Sequence, residues 1–329
     1  FEEQKKEWFS CVGDGIQECR NTWDHKKWNI TDFTEFELAI TIDRPELYYD
    51  FLQKDWTRFC HDYWKNNFLE HHTLSKKRVT RIYIGNQFCH NLFPRKKLLF
   101  QVLEKALENN LAVTLAFTYI RDHLLEEIDE LLQELEVWCQ SREKEAGKDQ
   151  EEIIVNDWAM PILLQGKPHL KPVLGVLLNK RRKDVRLPYK HGIGNHVDSL
   201  AENNLNCGFY QDYLKNTFDI QRFEFESCGY KVTIPDGHHS LHLPFFQTNT
   251  SQYCTLYAVC RYGDRGKQKL PENCPRYCNK KVFLYPKHLK MVGRYNSLFG
   301  YDEKILWDEK KLQDYLEQGI DRIVVNVSL

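Results

Sequence analysis

The feature that most restricts what this chain can become is an alternation of short apolar runs with longer stretches whose apolar residues recur at helical spacing. Runs at residues 35–42, 78–84, 111–119, 152–155, 172–178, 220–226 and 230–234 read as strands, and so do 281–285 and 322–327. Helices are expected from Pro45 through Phe59, from near Pro94 to Asn109, from Arg121 to about Glu145, and from Asp308 to Gln318. Strands separated by helices return to the same edge of a sheet and run parallel. About eight such units in this length predict a TIM-like (β/α)8 barrel, incomplete or distorted, over an open doubly wound sheet. Residues 1–34 are polar and Trp-rich (Trp8, Trp23, Trp28) without a clean period, and read as an N-terminal extension packed outside a barrel domain of residues 35–329.

The barrel matters because its reactive groups gather at the carboxyl ends of the strands. Cys89 lies just beyond the 78–84 strand, Asp157 just beyond 152–155, and Lys180, Arg181, Arg182, Lys183 and Arg186 just beyond 172–178. The basic cluster suits a carboxylate or phosphate clamp, with Lys180 and Arg182 as its expected anchors; a solvated basic loop is the plainer reading. Asp157 suits a general acid or base if the pocket desolvates it, or a helix N-cap. His238, His239 and His242 form a dense group that suits a metal or a proton relay, against a plainer reading as hydrogen-bonded imidazoles on a strand edge. His71 and His72 are expected on a solvated loop. The Gly192-Ile-Gly194 stretch lacks the third glycine of a dinucleotide fingerprint and reads as a flexible loop.

Eleven cysteines are an odd number. Seven of them, Cys11, Cys19, Cys60, Cys89, Cys139, Cys207 and Cys228, are scattered, which favours metal ligation in a reducing compartment, the cytoplasm, over a disulfide framework. The other four, Cys254, Cys260, Cys274 and Cys278, fall on a Gly/Pro-punctuated loop that can bend until its thiolates converge. Such soft ligands are selected by iron-sulfur clusters and by structural zinc, and the Cys274-x3-Cys278 pair fits either. A barrel would carry Cys89 to the same face.

Other classes recede. The formal net charge of −1 argues against a protein that mainly wraps nucleic acid. No run approaches eighteen apolar residues, so no membrane span is expected, and the opening residues do not read as a secretory signal. The absence of His-Glu-x-x-His and Gly-x-Ser-x-Gly removes two common hydrolytic constellations.

Taken in order, Ile-Tyr-Ile-Gly-Asn-Gln-Phe-Cys89, Val-Asn-Asp-Trp158, the stretch from Val-Leu-Gly through Lys180 to Arg186, and Cys260…Cys274-x3-Cys278 resemble the collagenase-like peptidase family U-32. The resemblance is to its shorter branch, which works in oxygen-independent ubiquinone hydroxylation, and it runs from about Glu35 to the C-terminus. It implies a barrel holding a 4Fe-4S cluster on one early and three late cysteines. Carried over, these are Cys89, Cys274, Cys278 and either Cys260, whose spacing matches the family and which is the expected ligand, or Cys254. It further implies an oxygen-independent hydroxylase or related redox enzyme that draws oxygen from a small dicarboxylate such as prephenate. The alternatives it carries are a non-catalytic cluster- or zinc-bearing subunit of a heterodimer with a related barrel, an RNA-modifying enzyme, or a peptidase.

Overall fold

The structure, a computed structural model, describes Val12–Gly13, Trp28 and residues 35–146, 151–185, 200–271, 273–285 and 289–327. Eight parallel strands form the barrel: β2 (Glu37–Ile42), β3 (Arg81–Gly85), β4 (Ala112–Ala116), β5 (Glu151–Val155), β6 (Leu170–Leu174), β7 (Glu224–Glu226), β8 (His239–Leu243) and β13 (Ile320–Val325). They follow one another around the ring in chain order, β13 lying between β8 and β2. The ring closes where Leu174 pairs in parallel with Phe223 and its N–H donates to Arg222 O at 3.0 Å. The expected (β/α)8 barrel is therefore what forms. Among the described residues no helix is long and apolar enough to cross a membrane.

Between β8 and β13 the chain leaves the ring and builds an antiparallel sheet from β9 (Phe245–Thr250), β10 (Val282–Leu284), β11 (Met291–Arg294) and β12 (Ser297–Tyr301). Its outer edge is β1 (Val12–Gly13), which pairs with Val282 and Phe283 of β10. The 281–285 run is a strand as expected, but it belongs to this sheet and not to the barrel. The 230–234 run forms no strand; the seventh barrel strand is instead the histidine-bearing His239–Leu243. The 172–178 run shifts to Leu170–Leu174 because the chain turns at Gly175, where an added Cβ would lie 2.2 Å from Asn156 Oδ1 and 2.6 Å from Ile154 Cγ2. The helix expected from Pro45 through Phe59 is two, α1 (Pro45–Gln53) and α2 (Trp56–Asn66), with Asp55 capping the second by accepting from Arg58 N at 2.9 Å.

Strand alternation divides the core in two. Leu38, Ile40, Ile42, Ile82, Ile84, Val113, Leu115, Ile153 and Val155 face outward into the main hydrophobic cluster. Ala39, Tyr83, Ala116, Ile154, Val173 and Val324 form a separate cluster inside the ring. At the amino-terminal end the barrel is plugged by charge. Arg322 grips Glu152 through both nitrogens at 2.6 and 3.0 Å and donates to Glu37 at 2.6 Å. Arg81 reaches Glu37 at 2.8 Å, Thr114 donates to Glu152 at 2.7 Å, and Tyr83 donates to Glu224, which His242 meets at 2.5 Å. Strands β2, β3, β4, β5, β7, β8 and β13 each contribute to this network.

From the N-terminal extension, Trp28 is buried and its Nε1 donates to Ile305 O at 2.9 Å. His72 lies edge-on against it at 4.7 Å and bonds Leu306 O at 2.7 Å, so His72 is a core residue rather than the solvated one expected, while His71 is exposed. Cys11 and Cys19 lie outside the described residues.

Burial pushes the Glu152 carboxyl up, but Arg81 and Arg322 pull harder and hold it at about 2. Its contribution to stability is therefore complete above the unfolded value near 4.5 and is lost as pH falls toward about 2. Denaturant midpoints measured from pH 5 downward are expected to fall through that window. Arg322→Met, which strands Glu152 in the barrel, is expected to destabilise by about 3–5 kcal/mol.

Candidate functional site

The carboxyl ends of the barrel strands carry two adjoining features, a group of thiols and a polar cavity. Cys89 is placed by the turn after β3. Gly85 has φ +109°, and a Cβ there would lie 2.6 Å from Ala116 O, so the strand ends on the one residue that fits. Asn86 Oδ1 then accepts from the N–H groups of both Phe88 and Cys89 at 2.9 Å, wrapping the chain over the rim. Cys254 follows β9 as the N-cap of α8 (Thr255–Tyr262): its Sγ accepts from Tyr257 N at 3.3 Å and donates to Tyr295 O at 3.1 Å. Cys274 and Cys278 flank Arg276, whose left-handed backbone (φ +53°) starts the single turn Tyr277–Asn279. The Cys278 carbonyl accepts from Arg294 Nε at 3.0 Å.

Electrostatics place these thiols in one neighbourhood. Burial pushes the thiols of Cys89, Cys254 and Cys278 up to about 12, and mutual repulsion adds to it. Cys89 is raised further by Cys254 and Cys274, Cys254 by Cys278 and Cys274, and Cys278 by Cys89 and Cys274. Cys260 does not join them. It lies six residues along α8 from Cys254, about 9 Å of helix rise, where burial raises its thiol and Lys281 draws it back with no thiol contributing. Cys254, the alternative ligand, therefore lies nearer to the other thiols than the expected Cys260 does.

Donor type and spacing both bear on what the group can hold. A single tetrahedral zinc ion, with zinc–sulfur bonds of about 2.3 Å, requires its thiolates to crowd around one point. Among the described residues no three His, Cys, Asp or Glu side chains are so placed. A cubane of four irons and four sulfides is wider and takes four thiolates at its corners, the donor type and number that Cys89, Cys254, Cys274 and Cys278 supply.

Beside the thiols, a cavity of about 550 Å³ opens over the barrel mouth, bounded among others by Asn156, Asp157, Asn179, Lys180, Gln247 and Gln252. Asp157 lines it, but both of its oxygens are engaged: Oδ1 accepts from Ala159 N and Met160 N at 3.1 and 3.0 Å, and Oδ2 accepts from Ile120 N. These bonds tie the carboxylate to the start of the short helix Ala159–Leu163, as the capping reading expects. Lys180 is exposed and lines the cavity; Arg182 is exposed and does not. Arg181 and Lys183, members of the expected basic cluster though not its expected anchors, also line the cavity, with side chains 2% and 8% exposed. Lys183 Nζ binds Glu226 at 2.7 Å, Val176 O at 3.1 Å and Gln247 at 3.2 Å, while Arg181 donates to Glu226 O at 2.7 Å and Cys228 Sγ at 3.0 Å. Burial lowers the Lys183 ammonium and Glu226 partly restores it. Arg186, Gly192 and Gly194 lie outside the described residues.

The two features touch through one loop. Tyr119 and Gln252 line the cavity, Tyr119 OH donates to Ser251 O at 3.2 Å, and Arg121 donates to Gln252 O, two residues before Cys254. A second cavity, about 410 Å³, lies on the other flank of the thiols, bounded by His90, Phe93, Phe117, Thr118 and Arg276. The histidine group takes the plainer reading: His239 stacks on Phe223 at 4.8 Å, His242 pairs with Glu224, and only His238 of the three is exposed.

Compared with protein-family models, curated proteins and solved structures, the chain gave no match.

In metal-free, reduced protein, alkylation followed by mass spectrometry is expected to label exposed Cys207 first. Cys89, Cys254 and Cys278, whose buried thiols hold their protons to about 12, should be labelled last.

Proposed function

We propose that this chain is an iron-sulfur barrel protein related to the short branch of the collagenase-like peptidase family U-32, with a 4Fe-4S cluster on Cys89, Cys254, Cys274 and Cys278. The observation that carries the reading is that Cys89, Cys254, Cys274 and Cys278, from three separate chain segments, lie close enough at the carboxyl face of a barrel for their charges to act on one another. A cluster held by four thiolates supplies one-electron transfer when bound. The chain's own residues do the rest. Asn86, Tyr295 and Arg294 orient the cysteine segments, and Lys180, with Arg181 and Lys183 behind it, gives the adjoining cavity a positive wall for a small anionic molecule. That pairing of an electron-transfer centre with an anion cavity suits an oxygen-independent hydroxylase or related redox enzyme whose donor is a small carboxylate such as prephenate. Zinc on the same thiols is the alternative that the metal and sulfide assays below separate from the cluster, and the cytoplasm is the compartment in which four such thiols stay reduced.

A second reading, a subunit that supports a related barrel, is favoured by an exposed aromatic patch beside the cavity. Trp158 and Ile162 present it from one element, and Phe209 (81% exposed) and Tyr213 from the helix Gly208–Phe218.

Anaerobic purification is expected to give a broad visible charge-transfer band with iron and acid-labile sulfide. Cys89→Ala and Cys254→Ala should lose it and Cys260→Ala should keep it; zinc without sulfide, or a band that survives Cys254→Ala but not Cys260→Ala, would sink the assignment. Separately, Lys180→Gln is expected to weaken binding of a small dicarboxylate by about tenfold, the worth of one charge-assisted contact, without changing iron content. Turnover of a donor by the purified chain alone would favour the enzyme over the subunit.

A further inference from the structure

The turn between β11 and β12 is built from three residues that each hold a different part of the thiol group. Arg294, 6% exposed, donates through Nε to the carbonyl of Cys278, and its guanidinium lies 5.3 Å over the ring of Tyr295. Tyr295 accepts the Sγ of Cys254 at its carbonyl (3.1 Å), while its hydroxyl reaches Asp43 Oδ2 at 3.3 Å, at the carboxyl end of β2. Asn296 donates to Ser251 O at 2.6 Å, three residues before Cys254, and to Tyr119 OH at 3.2 Å, beyond the end of β4. One short hairpin thus ties the 251–254 segment to the Cys278 turn and ties both to two barrel strands.

The backbone of this turn carries a second sign of function. Tyr295 sits in the left-handed region at φ +57°, where glycine is at ease and a tyrosine is strained. Glycine would relieve the strain but would lose the ring under Arg294 and the hydroxyl on Asp43. Strain kept where the side chain makes such contacts marks a place held for its geometry. The charge is equally specific: a buried guanidinium that acts on the Cys278 thiol opposes the negative charge that sulfur acquires on ligation.

We propose that the Arg294-Tyr295-Asn296 turn is a clasp that pre-organises the four-thiol centre, with Arg294 the positioning residue that fixes the Cys278 turn and offsets the charge of the centre. The charge part rests on the iron-sulfur reading above; the positioning part does not, because it is measured on metal-free protein.

Two measurements test it. In metal-free protein, Arg294→Gln is expected to raise the alkylation rate of Cys278 by about tenfold, as expected for loss of one charge-assisted hydrogen bond, with Arg294→Lys restoring much of the protection. Should Arg294→Gln not fold, Asn296→Ala serves instead, and is expected to raise labelling of Cys254 while leaving Cys278 as in wild type. In protein loaded with iron and sulfide, Arg294→Gln is expected to shift the midpoint potential to more negative values, and Arg294→Lys to return it. Labelling of Cys278 at the wild-type rate in Arg294→Gln, or in its absence unchanged labelling of Cys254 in Asn296→Ala, would overturn the clasp. An unchanged potential would overturn the role of its charge. A wild type that takes up no iron or sulfide would refute the cluster and leave the labelling result to stand or fall by itself.

Discussion

Arg322 is the residue on which the closed ring most depends. It lies on the last strand, is nearly inaccessible, and reaches across the barrel interior to carboxylates on the first and fourth strands of the ring. A guanidinium in such surroundings is tolerable only when its donors are matched, and Glu152 and Glu37 match them. Tyr83, Glu224 and His242 extend the same network to β3, β7 and β8. The amino-terminal half of the barrel is thereby fixed in register by directional polar contacts, with an apolar layer above it. The carboxyl half is left free of that duty, and it is there that the cavity and the thiols lie.

The separation explains why the two ends look so different. At the closed end, cations and carboxylates are paired with one another. At the open end, Arg181 and Lys183 share the carboxylate of Glu226, and Lys180 stands exposed at the cavity wall, so the balance of charge there is positive. A surface of that kind attracts anions, whereas the plug, with matched charges and little solvent, attracts nothing.

Much of this could be read from the sequence, and the failures have physical causes. The alternation of apolar runs and amphipathic stretches was enough for the ring, because outward-facing strand residues such as Leu38, Ile40 and Ile42 are apolar whatever the interior holds. His239–Leu243 escaped notice as a strand because its inward positions are polar, Ser240 and His242 serving the buried network, so it lacks the apolar look of its neighbours. The antiparallel sheet escaped because its strands are split between the N-terminal extension and a long excursion after β8, and sequence pattern does not say which sheet a strand joins. For the thiols, the resemblance favours Cys260, whereas the fold carries Cys254, at the start of a helix, nearer to Cys89 and Cys278, and spacing in sequence does not report which end of a helix faces a distant loop. Asp157, Lys180, Arg181 and Lys183 line the cavity at the mouth, yet which of the basic side chains face it depends on the turn at 176–178 that follows β6, a geometry no local pattern specifies.

The excursion between β8 and β13 also sets an order of events. Cys89 is made early, with the third segment of the chain, whereas Cys254, Cys274, Cys278 and the turn at Tyr295 all come after the seventh barrel strand and before the eighth. During synthesis, then, every sulfur of the group and the hairpin that organises them has left the ribosome before Arg322 arrives to lock the ring. The nascent protein passes through a stage with the four thiols on an unclosed wall, and the last strand seals the scaffold behind them.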